Sequence, residues 1–125
     1  MRGIRARAEG AVVIVAWLAH PVSGDVPANL ALARRWLRYL QRAHPGRAFI
    51  APYLAWIEVV GDDDSNPDQR ERGLQRCEAV AARCHEIWLV GEEITGGMRR
   101  EQVAAMAACA GVRCDYLGRR EPPED

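Results

Sequence analysis

The chain has 125 residues, a length typical of a single domain with one hydrophobic core. Its basic residues, 17 arginines, balance 17 acidic residues, so the formal net charge is zero. A zero net charge gives no electrostatic attraction toward a nucleic-acid polymer or an anionic membrane, and we expect neither as the main partner.

An apolar run near the N-terminus could be either a signal peptide or a β-strand. Arginines precede residues 11–19, but the run ends in Trp17-Leu18-Ala19-His20-Pro21, without a small-x-small cleavage site. The run is also too short to cross a bilayer. We therefore expect a first strand at 11–18, preceded by a flexible N-terminus at 1–10, in a cytoplasmic protein.

The cysteines and the acidic loop are the candidate metal ligands of the sequence. The four cysteines contain no Cys-x-x-Cys pair, which disfavours zinc and predicts free thiols in a reducing compartment. The run Asp62-Asp63-Asp64 lacks the alternating spacing of a calcium loop and is expected to be solvated. We predict no metal and no organic cofactor.

Strands and helices alternate along the chain. Strands are predicted at 11–18, 47–51, 87–91 and 112–117, and helices at 26–43, 67–84 and 98–110. This alternation predicts an α/β fold, Rossmann-like (flavodoxin-like), with a parallel sheet of four to five strands in the order 2-1-3-4(-5) and helices on both faces. One domain would cover 11–117, and the proline-containing tail 118–125 is expected to be disordered.

The segment 52–60 is apolar and aromatic but has no clean period, and it could form a short helix. Its Tyr53 and Trp56 could wall a pocket or contact another subunit. Packing in the core is the simplest alternative for both rings.

The stretch from Glu86 to Ala110 is the main candidate for a site. A buried strand and a glycine-bearing loop, 92–97, lead into a helix whose first turn contains Glu101. In strand order 2-1-3-4, ligands bind where the first and third strands lie side by side, so loops 20–25 and 92–97 should meet there. The buried stripe predicted for the helix is Val103, Met106, Ala107 and Ala110.

Three motifs carry a resemblance to a known family. The first strand ends in Trp17-Leu18-Ala19-His20-Pro21, and a long helix follows with Asn29 near its start. The third strand is entered through Cys84-His85-Glu86-Ile87-Trp88-Leu89-Val90, and Thr95-x-Gly97-x-x-x-Glu101 leads into an alanine-rich helix that ends at Gly111. Together these motifs resemble the nucleoside 2-deoxyribosyltransferase superfamily, which includes the deoxynucleoside-monophosphate N-hydrolases.

The resemblance implies roles for individual residues. Glu101 matches the family's nucleophile, a carboxylate that captures the anomeric carbon of a deoxyribosyl group as a covalent intermediate. Gly97 would let the sugar approach the backbone, and the Thr95 hydroxyl would suit a phosphate. The predicted catalytic residues are Glu101 and His20, and the predicted substrate-binding residues are Trp17, Pro21, Ser23, Gly24, Asn29, Cys77, Thr95 and Gly97.

The sequence also departs from the family pattern. Cys77 occupies the position of the second essential carboxylate, and a thiol is a poor general acid. The adjacent Glu78 is turned about 100° away around the helix. His85 replaces an Asp at the strand entry, and His20 replaces a loop glycine. His20 could supply the missing proton, or it could simply pack against Pro21.

Two functional hypotheses follow. The first is a nucleoside or nucleotide N-glycosidase, or a 2-deoxyribosyltransferase, with a Glu101 nucleophile. The alternative is a catalytically impaired nucleotide-binding or sensing module, which Cys77 favours. A third interpretation treats the loops as ordinary turns. The resemblance also implies a homo-oligomer, with 52–60 as the candidate interface.

Overall fold

The computed structural model describes residues 13–109 and 111–123. The segment predicted to be flexible, 1–10, lies outside the described residues. The elements in chain order are β1 (Ile14–Ala19), α1 (Val26–Ala43), β2 (Arg47–Ile50), α2 (Tyr53–Ala55) with a π-helical turn (Trp56–Val60), α3 (Pro67–Ala81), β3 (Glu86–Val90), α4 (Gly96–Ala108) and β4 (Arg113–Leu117).

The four strands form one parallel sheet in the order β2-β1-β3-β4, which confirms the predicted α/β fold and strand order. β1 and β3 are central, and Trp17 pairs with Ile87 in their register. All five residues of β3 are buried, as expected for a parallel strand covered on both faces. Since β1 and β3 are neighbours, the loops that follow them lie at the same edge of the sheet.

Each long helix begins at a capping residue. The Asp25 carboxylate accepts a hydrogen bond from Ala28 N at the start of α1, and Asn66 accepts from two backbone N–H groups of α3. Thr95 Oγ1 accepts from Met98 N at the start of α4. Thr95 therefore fixes where the loop after β3 ends and α4 begins.

The buried face of α4 differs from the prediction. Val103 and Met106, predicted to be buried, are 58% and 53% exposed, whereas Met98, Glu101 and Ala105 are buried. Ala107 is also exposed, and the side chain of Ala110 lies outside the described residues. The apolar pattern failed because a hydrogen-bonded carboxylate occupies a core position on this helix.

Part of the C-terminal tail packs against α1. Trp36 Nε1 donates a hydrogen bond to Arg120 O at 3.1 Å, and Pro122 is buried. The tail thus supplies the acceptor that the buried indole N–H of Trp36 needs. In the part of the chain that is described, no helix is long and apolar enough to cross a membrane.

Gln41 holds the edge strand β2 against α1. Its Nε2 donates to Arg47 O at 2.6 Å, and its Oε1 accepts from Phe49 N at 3.0 Å. These two backbone groups have no neighbouring strand on that side, because β2 is at the edge of the sheet. One side chain thus pairs two outward backbone groups of β2.

Replacing Gln41 should destabilise the fold. Gln41→Ala leaves two partly buried backbone groups unpaired, and we expect it to lower the free energy of unfolding by about 1–3 kcal/mol. Urea denaturation measures this change. Gln75→Ala, at an exposed position whose side chain bonds only Glu71 one turn away, is the control and should change stability by under about 0.5 kcal/mol. Equal effects of the two variants would contradict the role of Gln41.

Candidate functional site

A pocket opens at the carboxyl ends of β1 and β3, where the two predicted loops meet. It encloses about 80 Å³. Since one water occupies roughly 10–15 Å³ on this scale, the enclosed part admits a group the size of a sugar ring. The lining side chains come from the loop after β1, the α2 region, the acidic loop, α3 and the start of α4: His20, Val22, Ser23, Tyr53, Trp56, Ile57, Asp62, Asp63, Asp64, Gln69, Arg70, Gly73, Leu74, Cys77, Thr95, Gly97, Met98 and Glu101.

Glu101 is a buried carboxylate in the wall of this pocket. Its side chain is carried by α4, and the residue is 6% exposed. Trp17 Nε1, from β1, donates a hydrogen bond to Glu101 Oε1 at 2.8 Å. Burial raises the pKa of Glu101 to about 7, while hydrogen bonds from Trp17 and Cys77 act in the opposite direction.

Neutral groups surround the carboxylate. Burial raises the pKa of the Cys77 thiol, and the nearby charge of Glu101 adds to the effect, so the thiol keeps its proton. Tyr53 is buried, and its hydroxyl donates to Leu18 O at 2.8 Å. Its ring lies 5.9 Å from that of Trp17. The groups around Glu101 are therefore uncharged and buried, and burial of this kind raises the pKa of a carboxyl group.

His20 is another titratable group of the interior, and it is 5% exposed. Its Nδ1 lies 2.7 Å from Pro21 O. Burial lowers the pKa of His20 below 6.5, against the effect of the Pro21 hydrogen bond. The ring is therefore neutral at pH 7, with its proton on Nδ1, because a carbonyl oxygen can only accept. This leaves Nε2 as a hydrogen-bond acceptor, which does not fit the predicted proton-donor role.

The loop after β1 is held from behind the pocket. Asn29 Nδ2 donates to Val22 O and to Ser23 O, both at 3.0 Å, so Asn29 supports this loop. Gly24 has φ +100°, a conformation that favours glycine. Pro21 packs against Gly91, where an added Cβ would lie 3.2 Å from Pro21 Cδ.

The structure thus divides the predicted site residues into two groups. Those that line the pocket are Glu101, His20, Ser23, Cys77, Thr95 and Gly97. Those that do not line it are Trp17, Pro21, Gly24 and Asn29. Gly97 also has a packing role, because a Cβ there would lie 3.1 Å from Leu74 Cδ2 of α3.

The acidic loop forms the mouth of the pocket, a role that the sequence did not indicate. Asp64 Oδ2 accepts from Ser23 Oγ at 2.9 Å and lies near Arg70, which donates to the same hydroxyl. Asp62 pairs with Arg76 at 2.7 Å. The Asp63 carboxylate accepts from Ser65 N and from Ser65 Oγ, and among the described residues it has no cationic partner.

Arg70 is the basic side chain of the pocket lining, and it is already engaged with Ser23 and Asp64. Its position three residues after the Pro67 helix start gave no signal of a binding role. Only the folding of the acidic loop back onto the loop after β1 brings it to the pocket.

Glu78, the neighbour of Cys77, and His85, at the entry of β3, lie away from the pocket. Glu78 forms an ion pair with Arg100, which also binds Glu71. His85 is exposed, and its Nδ1 accepts from Val15 N at 2.9 Å. Neither side chain lines the pocket. In residues 13–109 and 111–123, no group of three or more His, Cys, Asp or Glu side chains is arranged to hold a metal ion.

The fold and the pocket define a parallel α/β protein with a ligand-sized site at the point where the winding of the sheet reverses. The chain belongs to the family described as a domain of unknown function, DUF7768, which matches residues 14–115. No curated protein and no solved structure matches the chain.

The raised pKa of Glu101 makes the stability of the protein depend on pH. The unfolded chain releases this proton near pH 4.5 and the folded chain near pH 7, so wild-type stability falls as pH rises through this interval. Glu101→Gln removes that dependence. We expect the variant to gain up to roughly 3 kcal/mol relative to the wild type between pH 4 and pH 8.

Urea unfolding at several pH values measures the difference. Glu92→Gln, at an exposed position of the neighbouring loop, serves as the control and should follow the wild type. A stability difference between Glu101→Gln and wild type that stays constant from pH 4 to pH 8 would show that the carboxyl group titrates normally.

Proposed function

We propose that the protein is an N-glycosidase or 2-deoxyribosyltransferase that acts on a nucleoside or nucleotide, with Glu101 as the nucleophile. The observation that carries the proposal is the buried Glu101 carboxylate, held by Trp17 Nε1 at 2.8 Å in the wall of a pocket with room for a sugar ring. The motifs that resemble the deoxyribosyltransferase superfamily support the same assignment.

A fixed carboxylate suits this chemistry. The anomeric carbon develops positive charge as its bond to the base breaks, and a carboxylate within bonding distance captures that carbon. The indole N–H of Trp17 keeps one oxygen of Glu101 in place and leaves the group able to react through the other. With a pKa of about 7, about half of the Glu101 side chains carry the charge at neutral pH.

No side chain in the pocket is suited to protonate the leaving base. The Cys77 thiol holds its proton tightly, and the neutral His20 ring has committed its proton to Pro21 O. General acid catalysis is worth about 10²- to 10⁴-fold. Water at the mouth of the pocket would then supply the proton, so we expect slow turnover, fastest for bases that leave readily.

The charges at the mouth favour nucleosides over their 5′-monophosphates. Arg70 is engaged by Asp64 and Ser23, whereas Asp63 has no cationic partner among the described residues. The first turn of α4 contributes only about half a positive charge. In addition, Met98 N already donates to the Thr95 hydroxyl, so this N–H group at the start of α4 is not free to bind a phosphate.

The alternative function is a nucleotide-binding or sensing module without turnover. The specific observation that favours it is Cys77, a buried neutral thiol at the position where the resemblance places the second carboxylate. Such a module would bind the same ligands and release no base. The same assay therefore separates the two functions.

A homo-oligomer is part of the proposal. Val59 and Val60, at the end of the π-helical turn, are 82% and 72% exposed. They belong to the segment 52–60, whose Tyr53 and Trp56 line the pocket from its other side. A subunit contact at this segment would therefore lie next to the pocket. Valine side chains have few rotamers, so they lose little conformational entropy when a contact buries them.

Base release from a panel of deoxynucleosides and their 5′-monophosphates tests the function. We expect free base and a covalent deoxyribosyl adduct on Glu101, with higher kcat/KM for nucleosides. Glu101→Gln should reduce turnover by about 10³-fold or more, since it replaces the nucleophilic carboxylate with a neutral amide. Chromatography of the bases and mass spectrometry of the intact protein provide the measurements.

The matched control is Glu92→Gln, which removes an exposed carboxylate from the loop before α4 and should retain wild-type turnover. Ligand binding without base release would support the sensing module instead. If the wild-type protein neither binds a ligand nor releases a base, both functions are rejected.

Trp17→Phe should shift the pH dependence of the reaction. The Trp17 hydrogen bond lowers the pKa of Glu101, so its loss raises that pKa and moves the acid limb of kcat/KM to higher pH. Trp36→Phe removes another buried indole N–H, which binds Arg120 O, and should leave the profile unchanged. An identical acid limb in Trp17→Phe and wild type would show that this hydrogen bond does not tune Glu101.

A further inference from the structure

We propose that His20 is the general base that activates water to release the sugar from Glu101, which makes the protein a hydrolase rather than a transferase. This inference rests on the proposed function. It concerns the second half of the reaction, in which the covalent glycosyl-enzyme is broken down. The resemblance does not supply it, because His20 occupies a position where the family pattern has glycine.

The geometry of His20 is that of an oriented base. The residue is 5% exposed and lines the same pocket as Glu101. Its Nδ1 donates to Pro21 O at 2.7 Å, which fixes the ring and its tautomer. The lone pair of Nε2 is therefore available on a ring that cannot easily turn.

His20 Nε2 is also reachable by a small molecule. Among the described residues it has no hydrogen-bond partner. Within residues 13–109 and 111–123, the side-chain polar atom that is sealed from solvent without a hydrogen bond is Asp115 Oδ2, and not an atom of His20. A buried but reachable acceptor in a pocket is a position for a water molecule or a substrate hydroxyl.

The other titratable groups of the pocket leave this role to His20. Tyr53 and Cys77 are protonated donors, and their pKa values are raised by burial. The carboxylates of the mouth, Asp62, Asp63 and Asp64, are bound by Arg76, by Ser65 and by Ser23 with Arg70. Glu101 itself is esterified during this half of the reaction.

The first half-reaction proceeds without His20. A Glu101 oxygen forms a bond to the anomeric carbon as the carbon–nitrogen bond breaks. The bonding pair leaves with the base, which takes a proton from water at the mouth of the pocket. The product is a glycosyl ester of Glu101 and a free base.

In the second half-reaction, a water oxygen bonds to the anomeric carbon while the bond to the Glu101 oxygen breaks. That electron pair restores the Glu101 carboxylate. One water proton goes to His20 Nε2, and the other remains on the new sugar hydroxyl. The imidazolium then returns its proton to solvent, and the neutral ring and the free carboxylate are ready for another cycle.

The experiment compares His20→Asn with wild type in single-turnover and steady-state base release from a deoxynucleoside. Asparagine can still donate to Pro21 O, so it retains the anchor of the loop while it removes the Nε2 base. His85→Asn is the matched control, since His85 is exposed and lies outside the pocket. Thermal unfolding of each variant verifies that it is folded.

We expect His20→Asn to release one equivalent of base at nearly the wild-type rate and then to turn over about 10²-fold more slowly or worse. Mass spectrometry should find the sugar retained on Glu101. Azide should restore turnover, because it attacks the anomeric carbon without having to lose a proton. In wild type, breakdown of the adduct should slow at acidic pH as His20 is protonated, and this acid limb should be absent in His20→Asn.

Two results would overturn the inference. If His20→Asn slows the first release and the steady state equally and leaves no adduct, then His20 serves binding or folding rather than water activation. If azide fails to restore turnover of an accumulated adduct, the defect is not the loss of a base. A wild-type protein that releases no base and forms no adduct is a different result, which rejects the proposed function and this inference with it.

Discussion

The hydrogen bond from Trp17 Nε1 to Glu101 Oε1 is the interaction on which the pocket depends. It joins β1 to α4 at a position where an unpaired carboxylate would be costly, since both residues are buried. A core helix thus presents a charged group to a cavity rather than to solvent. Because the donor is neutral, the bond positions the carboxylate without cancelling its charge.

Among the residues that the structure describes, no cationic side chain acts on the pKa of Glu101, and this decides the electrostatics of the interior. Where a carboxylate in this fold has an arginine partner, as Glu86 has in Arg47, the hydrogen bonds of that arginine lower its pKa. Glu101 is in the opposite situation, because burial dominates and raises its pKa to about 7. The same low polarity keeps His20 neutral, so two groups that could exchange protons face one small space.

The sequence predicted the sheet order and the meeting of two loops, because alternating strands and helices with right-handed crossovers leave few topologies. It did not predict the buried face of α4, since the apolar stripe containing Val103 and Met106 faces outward. It also missed the mouth of the pocket. Asp64 and Arg70 reach the site only through their contacts with Ser23, and such contacts between distant segments have no local signal in the chain.

The two hydrogen bonds between the Gln41 side chain and the backbone of β2 have a consequence for assembly. An edge strand normally presents unpaired backbone groups that can recruit a strand from another molecule. Here the outward N–H of Phe49 and the outward carbonyl of Arg47 are occupied by one side chain of the same chain. Extension of the sheet by a strand of another molecule is therefore disfavoured at β2, which leaves the helical surfaces and the β4 edge for any association.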